Sequence, residues 1–316
     1  MGTGSLNFLR DLPVHHAKLL LYISMNLDIY HRVLAGESLT AVLSPRALWT
    51  LHGPDAARYL NGQVTNDVTT LAEDHAFYAA VCTAKGRMEG DVSIALHTGE
   101  FYLDADFNLR ASLGARLEKY LIADDAVFTD VSDLWTLSHV FGAPPSILPK
   151  TGFVVASTRF GLPGHDIWIP GPGAFVIGET VETAVLETLR LEHAIPRWGT
   201  ELTVTTLPPE AGPHMLAAIS YTKGCYVGQE TIARLKSVGH VNRTLVFLKS
   251  DSASFPAAGT KLKQRDHEVG AVTSGGYSPR LEKGIALGYV QRQAATEGIS
   301  LQADGLNMTI APALSH

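Results

Sequence analysis

Residues 223–234 read KGCYVGQETIAR, and they place one of the chain's two cysteines, Cys225, among glycines and two residues after a lysine. A thiolate is the nucleophile and the soft ligand, and a thiol's pKa falls beside a cation or at a helix N-terminus. The segment offers both. If KGCYV is extended, Lys223 and Cys225 project to the same side. GQETIARLK then opens a short amphipathic helix with Ile232 and Leu235 inward. Gly224 and Gly228 permit a tight turn or a close backbone approach to a ligand. The same letters fit a packed structural cysteine in a turn, because cysteine is among the most often buried residue types, and at this point both readings stay open.

The other cysteine, Cys82, lies far away in VCTAKGR at a strand end, where it reads as a packing residue. With two distant cysteines and no CxxC, neither a disulfide framework nor a zinc site follows from spacing, and the cytoplasm is the default compartment. The thirteen histidines show no HExxH or paired ligand spacing, so no tightly bound metal is expected. The dinucleotide GxGxxG, the phosphate loop GxxxxGK[ST] and the G-x-S-x-G elbow are all missing. At 46% hydrophobic and 18% charged residues, with no apolar run near membrane length, the composition is that of a soluble globular protein. The net charge of −6 argues against a general nucleic-acid surface. Locally, Lys223, Arg234, Lys236, Arg243 and Lys249 face only Glu230, a net +4 that suits either a solvated face or an anionic partner.

Working outward, ALWTL (47–51) reads as a strand and GPDAARYLNG as a helix with Pro54 in its first turn and Gly62 just past its end. Residues 76–106 alternate as two or three strands turning at KGR and TGE, and Asn108–Leu121 is an amphipathic helix. The Pro/Gly-dense stretch Gly142–Gly152 marks a linker. GFVVAST and HDIWIP follow as strands, then a helix over about Val181–Ala194 that Pro196 stops. From Asn242 to Ala311 short strands separated by turns suit a small antiparallel barrel. The expected division is a 1–37 extension, an α+β domain of 38–145 with 196–241, a small βα region 146–195 and a 242–316 barrel. Met1–Ser24 lacks signal-peptide features, and translation from either Met1 or Met25 fits the sequence.

KGCYVGQE followed by TIAR resembles the signature of the YgfZ family, folate-binding relatives of the glycine cleavage aminomethyltransferase, the T-protein. GPDAARYLNGQVTNDVTTL (53–71), CTAKGR (82–87), LEKY (117–120) and RLEHAIP (190–196) resemble family blocks in the same order. The resemblance implies an α+β, T-protein-like three-domain cloverleaf around a central folate channel with a C-terminal antiparallel β-barrel. It implies tetrahydrofolate or a derivative as cofactor, and a role in assembling or repairing iron–sulfur enzymes, including tRNA methylthiotransferases. Those client enzymes would be partners, tRNA an indirect one, and no membrane is involved.

In that family reading Cys225 is the reactive residue beside Lys223. Tyr226, Gly228, Gln229 and Glu230 complete the segment, and Gln63, Thr65 and Asp67 line the channel. A pterin ring presents adjacent N–H donors that a carboxylate accepts as a pair. The T-proteins' pterin glutamate stands in a similar LE block, so the resemblance points to Glu192. Arg87, Arg197, Arg234 and Arg243 are alternatives for the anionic folate tail. The alternative function is folate-dependent aminomethyl transfer. Against it, the T-protein pattern G-x-x-D-D is matched here by GRMEGD, with Glu89 and Gly90 at the aspartates. Arg46 and Leu186 stand near the places of two folate-contacting tryptophans of bacterial YgfZ proteins, and Trp49 and Trp198 are the substitute stacking rings.

Overall fold

Short alternating runs between glycine-rich turns make most of this chain β-structure, and the computed structural model describes residues 25–144 and 150–315. Residues 1–24, most of the expected extension, and 145–149, the centre of the expected linker, lie outside the described residues. The chain divides into two units: residues 25–30, Glu182–Ala194 and Asn242–Ser315 form one, and His31–Val181 with Ile195–Val241 form the other.

The larger unit begins within helix α1 (Leu27–Leu34) and carries β1 (Thr40–Val42), β2 (Ala47–His52), α2 (Ala56–Gln63), β3 (His75–Cys82), β4 (Met88–His97) and β5 (Glu100–Ala105). Then come α3 (Arg110–Lys119), β6 (Val127–Asp130), β7 (Trp135–Phe141), β8 (Phe153–Arg159) and β9 (Leu162–Pro170). Its nine strands form one sheet in the order β1-β7-β9-β8-β3-β4-β5-β2-β6. Every pairing is antiparallel except the single parallel pair His75↔Ala156 that joins β3 to β8. The two strands of the expected middle region therefore belong to this sheet.

Alternation along β4 explains the layers. Val92 and Ile94 face a core shared with Leu60 of α2 and Leu109, Leu113 and Leu117 around α3. Gly90 is on this side too: a Cβ there would stand 2.9 Å from Leu113 Cδ2 and 3.2 Å from Leu109 Cδ1, so a larger residue would have to push those side chains aside. Ala95, on the opposite face, packs with Tyr102, Phe153 and Trp168, whose rings lie 4.4 to 5.9 Å apart. Trp49 is fully buried in the first core and stacked on Phe128, so it serves packing and offers no ring to a ligand.

Helix α2 departs from its sequence expectation. It runs through Gly62 to Gln63 and is followed by an extended Val64, so Gly62 is no C-cap. The reason is tertiary: the Gly62 carbonyl accepts from the Val227 N–H at 3.1 Å, which supplies the partner that a glycine turn would otherwise provide.

The smaller unit holds α4 (Thr183–Glu192) and a closed barrel. Its strands are β10 (Arg243–Ser250), β11 (Lys261–Gln264), β12 (His267–Ser278), β13 (Lys283–Gln291), β14 (Ser300–Ala303) and β15 (Leu306–Ala311), in the order β10-β13-β12-β11-β14-β15. Leu248, Leu262, Val290, Leu301 and Met308 fill the interior. Closure is uneven: β10 and β13 share seven register pairs, whereas β11 and β14 share only Lys263↔Gln302.

The larger unit also buries a chain of alternating charge. His139 Nδ1 meets Asp166 at 2.8 Å, Arg159 donates to both Asp166 oxygens and to Asp104, and Arg46 Nε donates to Asp104 at 2.7 Å. Burial alone would raise the Asp166 pKa, but Arg159 and His139 hold it well below the carboxylate range. Burial pulls the His139 pKa down, with Asp166 opposing. Removing one member of a buried ion pair leaves an uncompensated charge and costs about 3–5 kcal/mol. Arg159→Met is therefore expected to lower unfolding stability by that amount in urea denaturation.

Candidate functional site

The site is assembled in the larger unit from the end of α2 and the loop after it, the 83–87 turn and the segment that runs from the short α5 (Gly212–Ala217) into α6 (Gln229–Ser237). The segment is not a strand. Residues 221–224 are bends, so the alternation argument does not apply: Lys223 is buried and Cys225 is exposed. The Lys223 ammonium donates to the carbonyls of Asn61 at 2.6 Å, Val64 at 2.9 Å and Asn66 at 2.6 Å. Its three hydrogens are thereby matched by three acceptors, and the Tyr226 ring lies 5.1 Å from the nitrogen. Burial lowers its pKa to about 8, with Asp67 opposing, which leaves the amine charged at neutral pH. Lys223 thus ties KGC to the end of the LNGQVTND block.

Gly228 has φ 90°, and a Cβ there would lie 2.6 Å from the Thr83 carbonyl. Gly86, in the KGR turn, sits against the same place: its own Cβ would meet Thr231 at 3.1 Å. The two glycines let a hairpin turn seat against the start of α6. Gly224 has open space around it and makes no close approach. Ile232 is buried and Leu235 half-buried, as the amphipathic pattern expects.

The remaining sequence-derived residues divide. Gln229 Nε2 donates to the Lys223 and Gly224 carbonyls at 3.4 Å, and exposed Glu230 pairs with Arg234 at 3.0 Å. Gln63 Oε1 accepts from Arg116, which also holds Glu89 and the Cys82 carbonyl. Thr65 exchanges hydrogen bonds with Ala80 and donates to the Ala218 carbonyl, and Asp67 accepts from Thr69 at the head of a short 3-10 turn. Cys82 is buried, and burial pushes its thiol up to about 12. The Tyr226 hydroxyl is buried with no hydrogen-bond partner among the described residues.

Glu192 belongs to the barrel unit and is fully buried, with both oxygens accepting from Tyr30 Oη at 2.8 and 3.0 Å and Oε1 from Ser278. Burial raises its pKa, with those two hydroxyls opposing. Of the candidate tail cations, Arg87 donates to the Thr205 carbonyl, Arg234 pairs with Glu230, and Arg243 lies in the barrel unit over Tyr289.

Sequence reasoning missed Asp91. It stands on the face of β4 opposite Gly90, and Tyr78 Oη donates to its Oδ2 at 2.8 Å. Its Oδ1 is out of contact with solvent and has no partner among the described residues, while the residue as a whole is half-buried. Burial raises its pKa to about 6, with Tyr78 and Arg46 opposing. The Tyr78 ring in turn lies 4.9 Å from that of His214, which burial holds down at about 4. The alternation of Asp91 and Ser93 with Val92 and Ile94 was a readable signal for a polar sheet face.

The assembled architecture is that of the T-protein class. It is similar to the crystal structure of glycine cleavage system aminomethyltransferase T from Bartonella henselae, with a TM-score of 0.76 and 20% identity over 90% of this chain and 88% of that one. Residues 243–313 match the glycine cleavage T-protein C-terminal barrel domain. At the sequence level, proteins named tRNA-modifying protein YgfZ are 30% identical in Klebsiella pneumoniae (strain 342) and in Sodalis glossinidius (strain morsitans), each match covering 69% of this chain and 73% of the relative. The one from Escherichia coli O127:H6 is 27% identical over the same shares. The chain belongs to the YgfZ family.

Two outcomes test the site's construction. Lys223→Met strands three carbonyls and removes charge-assisted bonds of roughly 1.5–3 kcal/mol each before relaxation, so a loss of about 3–5 kcal/mol is expected in chemical denaturation. Asp91→Asn should act in the opposite sense. A carboxylate at about 6 when folded, against about 3.9 unfolded, burdens the native state above pH 6 and not below pH 4. The variant is expected to gain about 1–3 kcal/mol at pH 7 and nothing at pH 4, read as the Tm difference across pH.

Proposed function

We propose that this protein binds a reduced folate in its larger unit and uses Cys225 in the assembly or repair of iron–sulfur enzymes, tRNA-modifying ones among them. The observation that carries the reading is the exposure of the Cys225 thiol on a platform made rigid by the Lys223 clamp and the Gly86–Gly228 seat. An accessible thiol can meet a partner protein's metal centre or an electrophile, whereas a packed one cannot. Lys223 acts as a positioning residue that fixes the backbone on which the thiol stands. The relatives' name, tRNA-modifying protein, and the T-protein-like architecture support the tRNA-linked and folate-linked halves of the reading.

A reduced folate supplies one-carbon chemistry and a hydrogen-bonding pyrimidinone edge. The residues present fit such a group at Asp91, whose buried Oδ1 has no partner among the described residues. At Glu192 a ligand would have to displace the Tyr30 and Ser278 hydroxyls. Among the described residues no helix is long and apolar enough to cross a membrane.

Aminomethyl transfer is the rival. It requires formation of methylene-tetrahydrofolate from an aminomethyl donor, and position 90, where the family pattern places an aspartate, faces Leu109 and Leu113. The test uses a strain lacking its own family member and scored for methylthiolated tRNA. Cys225→Ala is expected to fold with unchanged Tm and to restore less than a tenth of the wild-type modification. Full restoration would remove Cys225 from the function, and turnover of an aminomethyl donor by the purified protein would favour the rival.

A further inference from the structure

The fold redistributes the basic residues that the sequence groups between 223 and 249. Lys223 is buried in its carbonyl clamp, and Arg243 and Lys249 belong to β10 of the barrel unit. Arg234 and Lys236 remain, both exposed on α6. The 83–87 turn adds two more. Its backbone is closed by the Gly86 N–H donating to the Thr83 carbonyl at 2.9 Å and the Thr83 N–H to the Arg87 carbonyl at 2.8 Å. It presents exposed Lys85 and Arg87 on either side of Gly86. Gly86 lies against Thr231, and Arg234 follows three residues later on the same side of the helix. Turn and helix thus share one surface of the larger unit. The two elements carry four cations and one carboxylate, Glu230, which pairs with Arg234 at 3.0 Å.

Neutral groups hold these cations in place. Arg87 donates to the Thr205 carbonyl, and the Lys236 ammonium lies 3.7 Å from the centre of the Tyr221 ring. A cation over a ring keeps its direction while its charge still faces water. Lys85 and Lys236 make no ion pair among the described residues. In a chain of net charge −6 such a concentration is local. Protein interfaces deplete lysine and centre on apolar and aromatic side chains, whereas a phosphate backbone is held by Lys, Arg and Ser/Thr hydroxyls. The exposed neighbours here, Ala84, Thr205 and Ser237, are small or hydroxylic. We propose that the KGR turn and the exposed face of α6 grip the phosphate backbone of RNA, with Lys85, Arg87, Arg234 and Lys236 each neutralising about one phosphate. The proposal rests on the tRNA-linked half of the function above for its partner, and makes that contact direct. RNA held there lies beside the segment that carries the exposed Cys225, because that segment runs into the head of the same helix.

The experiment is fluorescence anisotropy of an end-labelled, unmodified tRNA transcript with the full chain, at KCl concentrations from about 50 to 200 mM. Wild type, Glu230→Gln and the double variant Lys85→Glu with Lys236→Glu are compared. Each is also measured for Tm, for 5-formyltetrahydrofolate affinity, and for restoration of methylthiolated tRNA in the strain described above. Phosphate contacts from four cations give a log–log salt slope of about −3, a loss of roughly 50- to 150-fold in affinity over that range. The double variant is expected to lower the slope by about two and to bind roughly tenfold or more weakly at the lowest salt, with Tm and folate affinity unchanged. Glu230→Gln frees Arg234 and is expected to tighten binding by about twofold, a gain that misfolding does not mimic. No tRNA binding by wild type at the lowest salt, or equal binding by the double variant, overturns the surface, and the function above stands if Cys225→Ala still fails to restore modification. Restoration lost in the double variant without tRNA binding by wild type gives the surface to a partner protein and overturns the RNA contact. Weaker folate binding in the double variant with unchanged tRNA binding gives the cations to the folate tail and overturns it too. Salt-dependent tRNA binding through these residues, with full restoration by Cys225→Ala, keeps the surface and overturns the thiol's role.

Discussion

Three backbone carbonyls, those of Asn61, Val64 and Asn66, converge on a single buried ammonium. That convergence fixes where the KGCYVGQE segment lies, because Lys223 is held two residues before the chain exposes Cys225 and turns through Gly228 into α6. A helix end normally leaves its last carbonyls to water or a glycine cap. Here they are matched by a cation from a segment about 160 residues later. The same joint lets α2 continue through Gly62 and orders the channel-block residues Gln63, Thr65 and Asp67 around it. Their side chains are engaged by Arg116, Ala218 and Thr69, so they shape the platform.

The lysine's role differs from what spacing suggests. Adjacent placement in a strand would aim ammonium and thiol together, but bends at 221–224 send one inward and leave the other in solvent. Lys223 acts on Cys225 through backbone geometry. This separates two properties that a reactive cysteine needs: accessibility, which the exposed bend supplies, and fixed position, which the buried clamp supplies.

Much of the architecture was legible in local pattern. Alternation around KGR and TGE pointed to two or three strands, and glycine-punctuated runs after Asn242 to a barrel, because turn chemistry and side-chain period are local properties. The KGCYVGQE segment stood out by its letters alone. What local pattern could not give was register. Asp91 and Tyr78 gain meaning only when β3 and β4 pair and bring them onto one face. Gly90 likewise reads as a missing acid until helix α3 is seen lying over it. Glu192 has the right letters in a family block, yet the barrel unit supplies Tyr30 and Ser278 to satisfy it, and both lie far from it in sequence.

The barrel's closure carries a consequence of its own. Its ladder is dense where β10 meets β13 and reduced to one register pair where β11 meets β14. A ring with one thin seam does not loosen evenly. Amide protons flanking Lys263 and Gln302 would exchange with solvent well before those of β13, and a protease would find the cylinder as an opened ribbon there first.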